Sequence, residues 1–505
     1  MKHTGTVTLA TDAALPIPPS LYSDQLHVDP APATYKGLYA FHKYWGKKPV
    51  ELVSYLIQSL SAPGDLVIDP FLGSGAIARE SLRLNRRFAG CDLNPSAVEL
   101  SRLTCELPTT QQYASAITRI EARLEPLARE LYALNDGGTG SHYLWDGATL
   151  RSIWTYPSTR NNRVELKPTA FDLEVIGRHE GYKMTELRPL RTHANPRINS
   201  LQGMSWHDFF TDRALIVIES IVREARSIDD PRLRRAIILT LTSSLGQMSK
   251  MVFALEKRGA SSGATANRVE VGSWAIGLWR PETHFEVNAW NCFRVRANKF
   301  LSATKKVPPE ELTASGTTRL GESPIDTPGH LSIDLMSARE WLNCLPDQSV
   351  DLIVTDPPHS DRIPYMELSE LWNAALGAES QFEEELIVSN AVERGKSSDA
   401  YFRDLEAILK TAHRKLTDRG SLALMYNSKS EDDWATLRQV MNSSGWRVEG
   451  LIPANYSVRS LVQDNRTGAL KADSVVIATK QSGPPNMRAR SMVNLTCTPK
   501  DVPDA

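Results

Sequence analysis

Two glycines and a spaced acid are the first residues in this chain able to do chemistry. Gly73 and Gly75 stand in the run Asp69-Pro70-Phe71-Leu72-Gly73-Ser74-Gly75. Without a Cβ, they let the backbone turn tightly and approach a ligand closely. Asp92 follows near the roughly 20-residue offset at which an acid ending a second strand binds ribose hydroxyls. The spacing predicts a ligand with an adenosine-like ribose. On the residues alone two other readings stay open, a tight strand-to-helix connection with no ligand and a helix cap at Asp92 ahead of Asn94-Pro95.

The elements that must position these residues are legible around them. Leu66-Val67-Ile68 is a short apolar run ending at Asp69-Pro70, and Ala76 to Leu84 reads as a helix. Arg87 to Asp92 is a second strand ending in an acid, and Asn94-Pro95 opens another helix. The same βα rhythm returns after a long interval. Val350 to Thr355 ends at Asp356-Pro357-Pro358, followed by a helix from about Ala400 to Lys415, a strand Ser421 to Tyr426, a helix after Asp433 and a closing strand Ser474 to Thr479. Parallel strands need helical crossovers, so the fold class is α/β, a doubly wound, mostly parallel sheet. Its two halves, 36–108 and 328–480, are interrupted by a large mixed insertion, 109–327.

Composition bounds the possibilities. The 505 residues carry 41% hydrophobic and 23% charged residues, the balance of a globular protein rather than a disordered or fibrous one. Lys plus Arg is 58 against Asp plus Glu 59, which excludes a polycation, so any contact with nucleic acid must come from charge gathered locally. The five cysteines include no C-x-x-C pair. That gives no disulfide framework and no metal cluster, and suits a reducing cytosol. With no signal-peptide core at the start and no long apolar stretch, a cytoplasmic protein with no membrane span is expected. Residues 1–35 and 481–505, rich in Pro, Ser and Thr, are expected to be flexible.

The run His42-Lys43-Tyr44-Trp45-Gly46-Lys47-Lys48-Pro49-Val50-Glu51-Leu52, followed by Pro63 to Gly75, resembles the cofactor half of amino-methylating (N-4 cytosine / N-6 adenine) DNA methyltransferases. The resemblance implies a Rossmann-like methyltransferase fold and S-adenosyl-L-methionine as cofactor. Asp69, Phe71, Gly73 and Gly75 would surround its methionine part, and Asp92 would take the ribose. Thr355-Asp356-Pro357-Pro358-His359 resembles the family's second signature, D-P-P-Y. There a carboxylate and a backbone carbonyl accept both N–H bonds of an exocyclic amine and aim its lone pair at the methyl group. Asp356 would be the first acceptor and the Pro357 carbonyl the second, with the prolines fixing its direction. His359 stands where an aromatic is usual and is expected to stack on an extruded base. Tyr365 is a nearby substitute, while Glu367 and Glu370 read as a solvated helix face. Asp334, ending an earlier strand, is a candidate contact to the cofactor's adenine, with helix capping as its rival. None of the five cysteines follows a proline, the context usual for methylation at cytosine carbon, so the target should be a nitrogen.

The insertion is the candidate target-recognition region. Between Arg151 and Ser200 nine basic residues face five acids, an excess that would contact phosphates. Trp274 to Phe300 interleaves aromatic and basic residues, with core packing favoured. A stripe from Ile237 to Leu255 after Asp230-Pro231 is assigned to packing. Pro168 to Leu173 and Trp206 to Phe210 resemble parts of adenine-specific methylases that carry a zinc ribbon, whose cysteines are missing here, so no metal is implied. The expected partner is double-stranded DNA, with adenine N6 favoured over cytosine N4 and a restriction or defence-system protein as a further partner. Methylation of an RNA base, or a catalytically decayed DNA-binding subunit, are the alternatives.

Overall fold

The structure, a computed structural model, describes residues 35–156, 163–256, 269–274, 277–308, 318–322, 325–359, 363–428, 430–455 and 472–496. The expectation for residues 1–35 therefore lies almost wholly outside the described residues. Among the described residues seven strands form the central sheet: β1 (Leu66–Asp69), β2 (Arg87–Asp92), β3 (Leu331–Leu335), β4 (Val350–Thr355), β5 (Leu416–Tyr426), β6 (Trp446–Asn455) and β7 (Ala472–Lys480). Their spatial order is 3-2-1-4-5-7-6. β1 pairs in parallel with β2 on one side and β4 on the other, β3 adds in parallel to β2 and β5 to β4. β7 runs antiparallel to both β5 and β6. This is the doubly wound, mostly parallel α/β sheet that the sequence leads one to expect.

Helices cover both faces, which is why β1 and β4 read as near-continuous apolar runs. Along β1, Leu66 and Ile68 face one layer and Val67 the other. The first layer packs α4 (Ala338–Cys344), α6 (Ser398–Lys415) and α7 (Glu431–Ser443) on the sheet. The second packs α1 (Val50–Leu60), α2 (Ala76–Arg83) and part of α3 (Pro95–Cys105). It also holds α8 (Met487–Thr496), whose Ala489, Met492 and Val493 are buried. The reading of 481–505 as a flexible tail is corrected here for 487–496, because an apolar triplet at helical spacing has sheet to bury against. Among the described residues no helix is long and apolar enough to cross a membrane.

The insertion has its own helical core. Its helices Thr110–Leu131, Asp212–Arg226, Pro231–Met248 and Ala289–Thr304 pack together beside a four-stranded antiparallel sheet. Asp230 caps the third of these, with Pro231 at its first position. Of the predicted stripe, Ile237, Leu241, Leu245 and Met248 are buried on it, while Leu255 lies beyond the helix and is exposed. In the Trp274–Phe300 segment, Trp290, Phe293 and Phe300 are core and Trp279 is exposed.

The insertion's core is continuous with α5 (Tyr365–Leu376), which contributes Leu368, Leu371 and Trp372. That burial overturns the reading of Glu367 and Glu370 as a solvated face. Both are buried, 3% and 1% exposed. Glu370 accepts from the Arg188 guanidinium and the Arg191 backbone N–H, each at 2.7 Å. Glu367 accepts from the Asn195 amide and the Arg394 guanidinium, each at 2.8 Å. The basic excess of residues 151–200 is thus partly paired within the chain: Arg188 with the buried Glu370, and the exposed Arg191, Arg178 and Arg151 with Glu383, Glu174 and Asp146 at the surface. Lys167, Lys183 and Arg197 are exposed as well.

Candidate active site

Three acids end at one edge of the sheet because each closes or follows a central parallel strand: Asp69 ends β1, Asp92 ends β2 and Asp356 follows β4. The chain order reverses between β1 and β4, and such a switch point opens a crevice at the strands' carboxyl ends. There the structure holds a cavity of about 540 Å³ lined by all three acids. Phe71 and Gly73 line it from the β1 turn, and Tyr44, Trp45 and Lys48 from the loop before α1. Ser337 to Glu340, at the start of α4, form another wall.

Asp69 is wholly buried. One carboxyl oxygen, Oδ1, accepts from the Phe71 N–H at 3.0 Å and the Thr355 hydroxyl at 2.8 Å, tying the ends of β1 and β4 together. The other, Oδ2, has no hydrogen-bond partner among the described residues. Burial pushes the Asp69 carboxyl up to about 8, against two hydrogen bonds that favour the anion. Asp92 accepts from the Gly73 N–H at 2.9 Å and the Asn94 N–H at 2.8 Å, and burial pushes it up to about 6. It is not the cap of α3, since Asn94 holds that position.

The two glycines divide their work. Gly73 lines the cavity with φ +51°, and a Cβ there would come within 3.3 Å of the Tyr44 ring. Gly75, at φ +78°, does not line the cavity. A Cβ on it would meet the Ser101 Cα at 2.5 Å, so its absence lets α2 pack against α3. Gly75→Ala is expected to cost about 1–3 kcal/mol from backbone strain alone, with the clash adding to it. A thermal melt checks this, and an unchanged melting temperature would contradict it.

The second signature is arranged differently from expectation. Asp356 and Pro358 line the cavity; Pro357 is buried and does not. The Tyr401 hydroxyl donates to the Pro358 carbonyl at 2.7 Å, which fixes the turn. His359 is 5% exposed, lies outside the lining and sets its ring edge-on to Tyr426 at 6.0 Å. It is not placed to stack on a base. Tyr365 lines the cavity instead, its ring near-parallel to Tyr44 at 6.4 Å. Asp334 also lies outside the lining. One residue short of its strand's end, it turns onto the sheet face, where the Trp341 indole donates to it at 2.8 Å. Nor does it cap α4, whose cap is Ser337.

Lys48 was not singled out from the sequence. It is buried, with its ammonium 3.0 Å from Asp356 Oδ2, and it donates to His359 Nε2 at 3.4 Å. Its place in the run before α1 was legible, but its partner lies some 300 residues away. The acids Glu383, Glu384, Glu385 and Asp404 also line the cavity and leave its wall acidic on balance against Lys47, Lys48, Arg339 and Lys396.

A DNA methylase family model, N6_N4_Mtase, matches residues 23–103, the stretch that carries Lys48, Asp69 and Asp92. The type II methyltransferase M1.MboII of Moraxella bovis is 45% identical over 51 residues, 10% of this chain and 20% of that protein. The type II methyltransferase M.HpaI of Haemophilus parainfluenzae is 33% identical over 92 residues, 18% of this chain and 29% of that protein. The matches therefore span less than a third of either relative's length. Among solved structures, the antibiotic-resistance methyltransferase Kmr aligns at 12% identity over 38% of this chain and 73% of that chain, with a TM-score of 0.19 that bears no weight.

Proposed function

We propose, from the match of residues 23–103 to a DNA methylase family model and to type II methyltransferases, that this protein is an S-adenosyl-L-methionine-dependent methyltransferase. Its target is the exocyclic amino nitrogen of a base in double-stranded DNA, adenine N6 rather than cytosine N4. The observation that carries the reading is the convergence of Asp69, Asp92 and Asp356 on one cavity at the switch point of the sheet. When bound, the cofactor supplies a sulfonium methyl that passes to the amine nitrogen as the C–S bond breaks and its electron pair stays on sulfur.

The residues suit that ligand. A wall acidic on balance favours a cation, and the unpartnered Asp69 Oδ2 offers a buried polar atom to an ammonium. Asp92 keeps lone pairs beyond its two backbone donors for ribose hydroxyls. Ser74, Ala76 and Ile77 bring the N-terminus of α2 to the cavity, where backbone N–H groups favour a carboxylate. Asp356 accepts an N–H of the target amine, and Tyr44 and Tyr365 offer flat faces to an extruded base. Adenine is favoured through the likeness of Pro168–Leu173 and Trp206–Phe210 to adenine-specific methylases, and duplex DNA through the type II relatives.

Incubation with cofactor and a mixed-sequence duplex, then mass spectrometry of the nucleosides, is expected to give N6-methyladenine. N4-methylcytosine would move the target base, and methylation of structured RNA alone would overturn the DNA reading.

The Asp69 proton gives an independent check. With its carboxyl near 8, Asp69 is mostly protonated at pH 7. An ammonium beside it favours the anion, so cofactor binding should release close to one proton. Calorimetry at pH 7 in buffers of different ionisation enthalpy should read that proton, and Asp69→Asn should abolish it. Folding linkage has a definite sign. The folded value lies above the unfolded one, so the associated stability is full below about pH 4 and lost as pH rises through about 8. Asp69→Asn should melt higher than the parent at pH 9, with the gap narrowing toward pH 5.

A further inference from the structure

We propose that Lys48 is a positioning residue for methyl transfer, holding the Asp356 carboxylate ionised and in one orientation at the cavity wall; this rests on the methyltransferase reading above. Three observations carry it. Lys48 is only 7% exposed, yet its ammonium lies 3.0 Å from Asp356 Oδ2. The same ammonium donates to His359 Nε2 at 3.4 Å, so it is held from two sides by residues of one signature. Lys48 and Asp356 both line the cavity. Burying a lysine and a carboxylate carries a desolvation cost that their attraction repays only in good geometry, so such a pair is weak support for stability. Its placement against the one acid that faces the target amine points to the reaction instead.

An aspartate carboxyl rotates broadly about its last torsion. A fixed ammonium selects one orientation, and an opposite charge within about 4–6 Å favours the anion. Asp356 is thereby kept as a hydrogen-bond acceptor for the amine. Methyl transfer forms the N–C bond, breaks the C–S bond and frees one amine proton. A carboxylate beside an ammonium holds that proton weakly and passes it to water. The arrangement also gives His359 a role other than stacking: its Nε2 lies 3.4 Å from the Lys48 ammonium and 3.5 Å from Asp356 Oδ1, so the ring backs the pair from behind.

The test compares Lys48→Met, which keeps length without charge, with Lys48→Arg, which keeps the charge. Single-turnover transfer to a duplex at saturating cofactor is expected to fall about 10–100-fold in Lys48→Met, within the range of general positioning effects. Lys48→Arg should recover most of the rate, and cofactor affinity by calorimetry should stay within about threefold in both. Melting supplies a readout that needs no turnover. Lys48→Met removes the cation 3.0 Å from the Asp356 carboxylate, so adding Asp356→Asn should raise the melting temperature above that of Lys48→Met alone. Equal rate losses in the Met and Arg variants, or additive melting losses in a protein that methylates DNA, would overturn the positioning role and leave the methyltransferase reading standing. Coupled melting in a parent protein that methylates neither DNA nor RNA would overturn both.

Discussion

Asp356→Asn is expected to lower the methyl-transfer rate by about 10²–10³-fold while cofactor affinity changes little, the size of effect seen when one preorganised polar group at a reacting centre is removed. An exocyclic amine is a poor nucleophile because its lone pair is delocalised into the ring. The carboxylate draws on the N–H bonds and turns the nitrogen toward a geometry in which that pair is free. An amide of the same shape accepts more weakly, carries no charge and presents a donor on one side. The cofactor contacts proposed here lie on Asp69, Asp92 and the α2 N-terminus, so binding should survive. The measurement is a single-turnover rate at saturating cofactor beside a calorimetric titration of the same variant. A loss below tenfold would remove Asp356 from the reaction. A parallel collapse of cofactor affinity would reassign it to binding.

The largest expected effect on stability lies in the insertion. Arg213 and Glu286 are 2% and 1% exposed and meet through two contacts, Nε to Oε1 at 3.2 Å and Nη2 to Oε2 at 2.8 Å. The guanidinium also sits over the rings of Tyr132 and Tyr143 at 4.6 and 4.3 Å. Glu286 accepts further from the Thr211 hydroxyl and the Trp145 indole. Arg213→Met would leave Glu286 charged and buried without its cation, which costs about 3–5 kcal/mol. Adding Glu286→Gln should return much of that loss, because neither charge is then stranded. Chemical denaturation of the parent, both single variants and the double variant reads the coupling, and simple additivity would contradict it.

Strands β1, β2 and β4 could be read from the sequence because each is a short, largely apolar run that stops at an acid. Leu66-Val67-Ile68 before Asp69 and Val350 to Thr355 before Asp356 are the clearest cases, and both acids line the cavity. Direction at a strand end was harder to read. Asp334 sits one residue short of the end of β3, and that single step turns it to Trp341 and away from the cavity. His359 shows the same limit: D-P-P spacing gives the next residue but not the way its ring turns, and the ring went to Tyr426. Glu367 and Glu370 looked solvated because three-residue spacing puts them on one helix face. What covers that face is Arg188, Arg191 and Asn195, which lie far off in the chain. The Lys48 to Asp356 pair was hidden for the same reason. Local patterns name the members of a site; they do not name partners brought together from distant parts of the chain.

The strand order also sets a timetable for synthesis. β1 finds its inner neighbour only when β4 has been made, since the Leu66 N–H donates to Asp351 across 285 residues of chain. At about 5–20 residues per second, the two first strands wait on the order of tens of seconds for the rest of their sheet. During that interval β1 and β2 have only the face packed by α1, α2 and α3 covered; the face that α4, α6 and α7 will cover and the ladder edges for β3 and β4 wait while the insertion is still being assembled. Slow or paused translation of the insertion would lengthen this exposure, so codon choice and chaperone supply in that stretch bear directly on how much native protein a cell recovers.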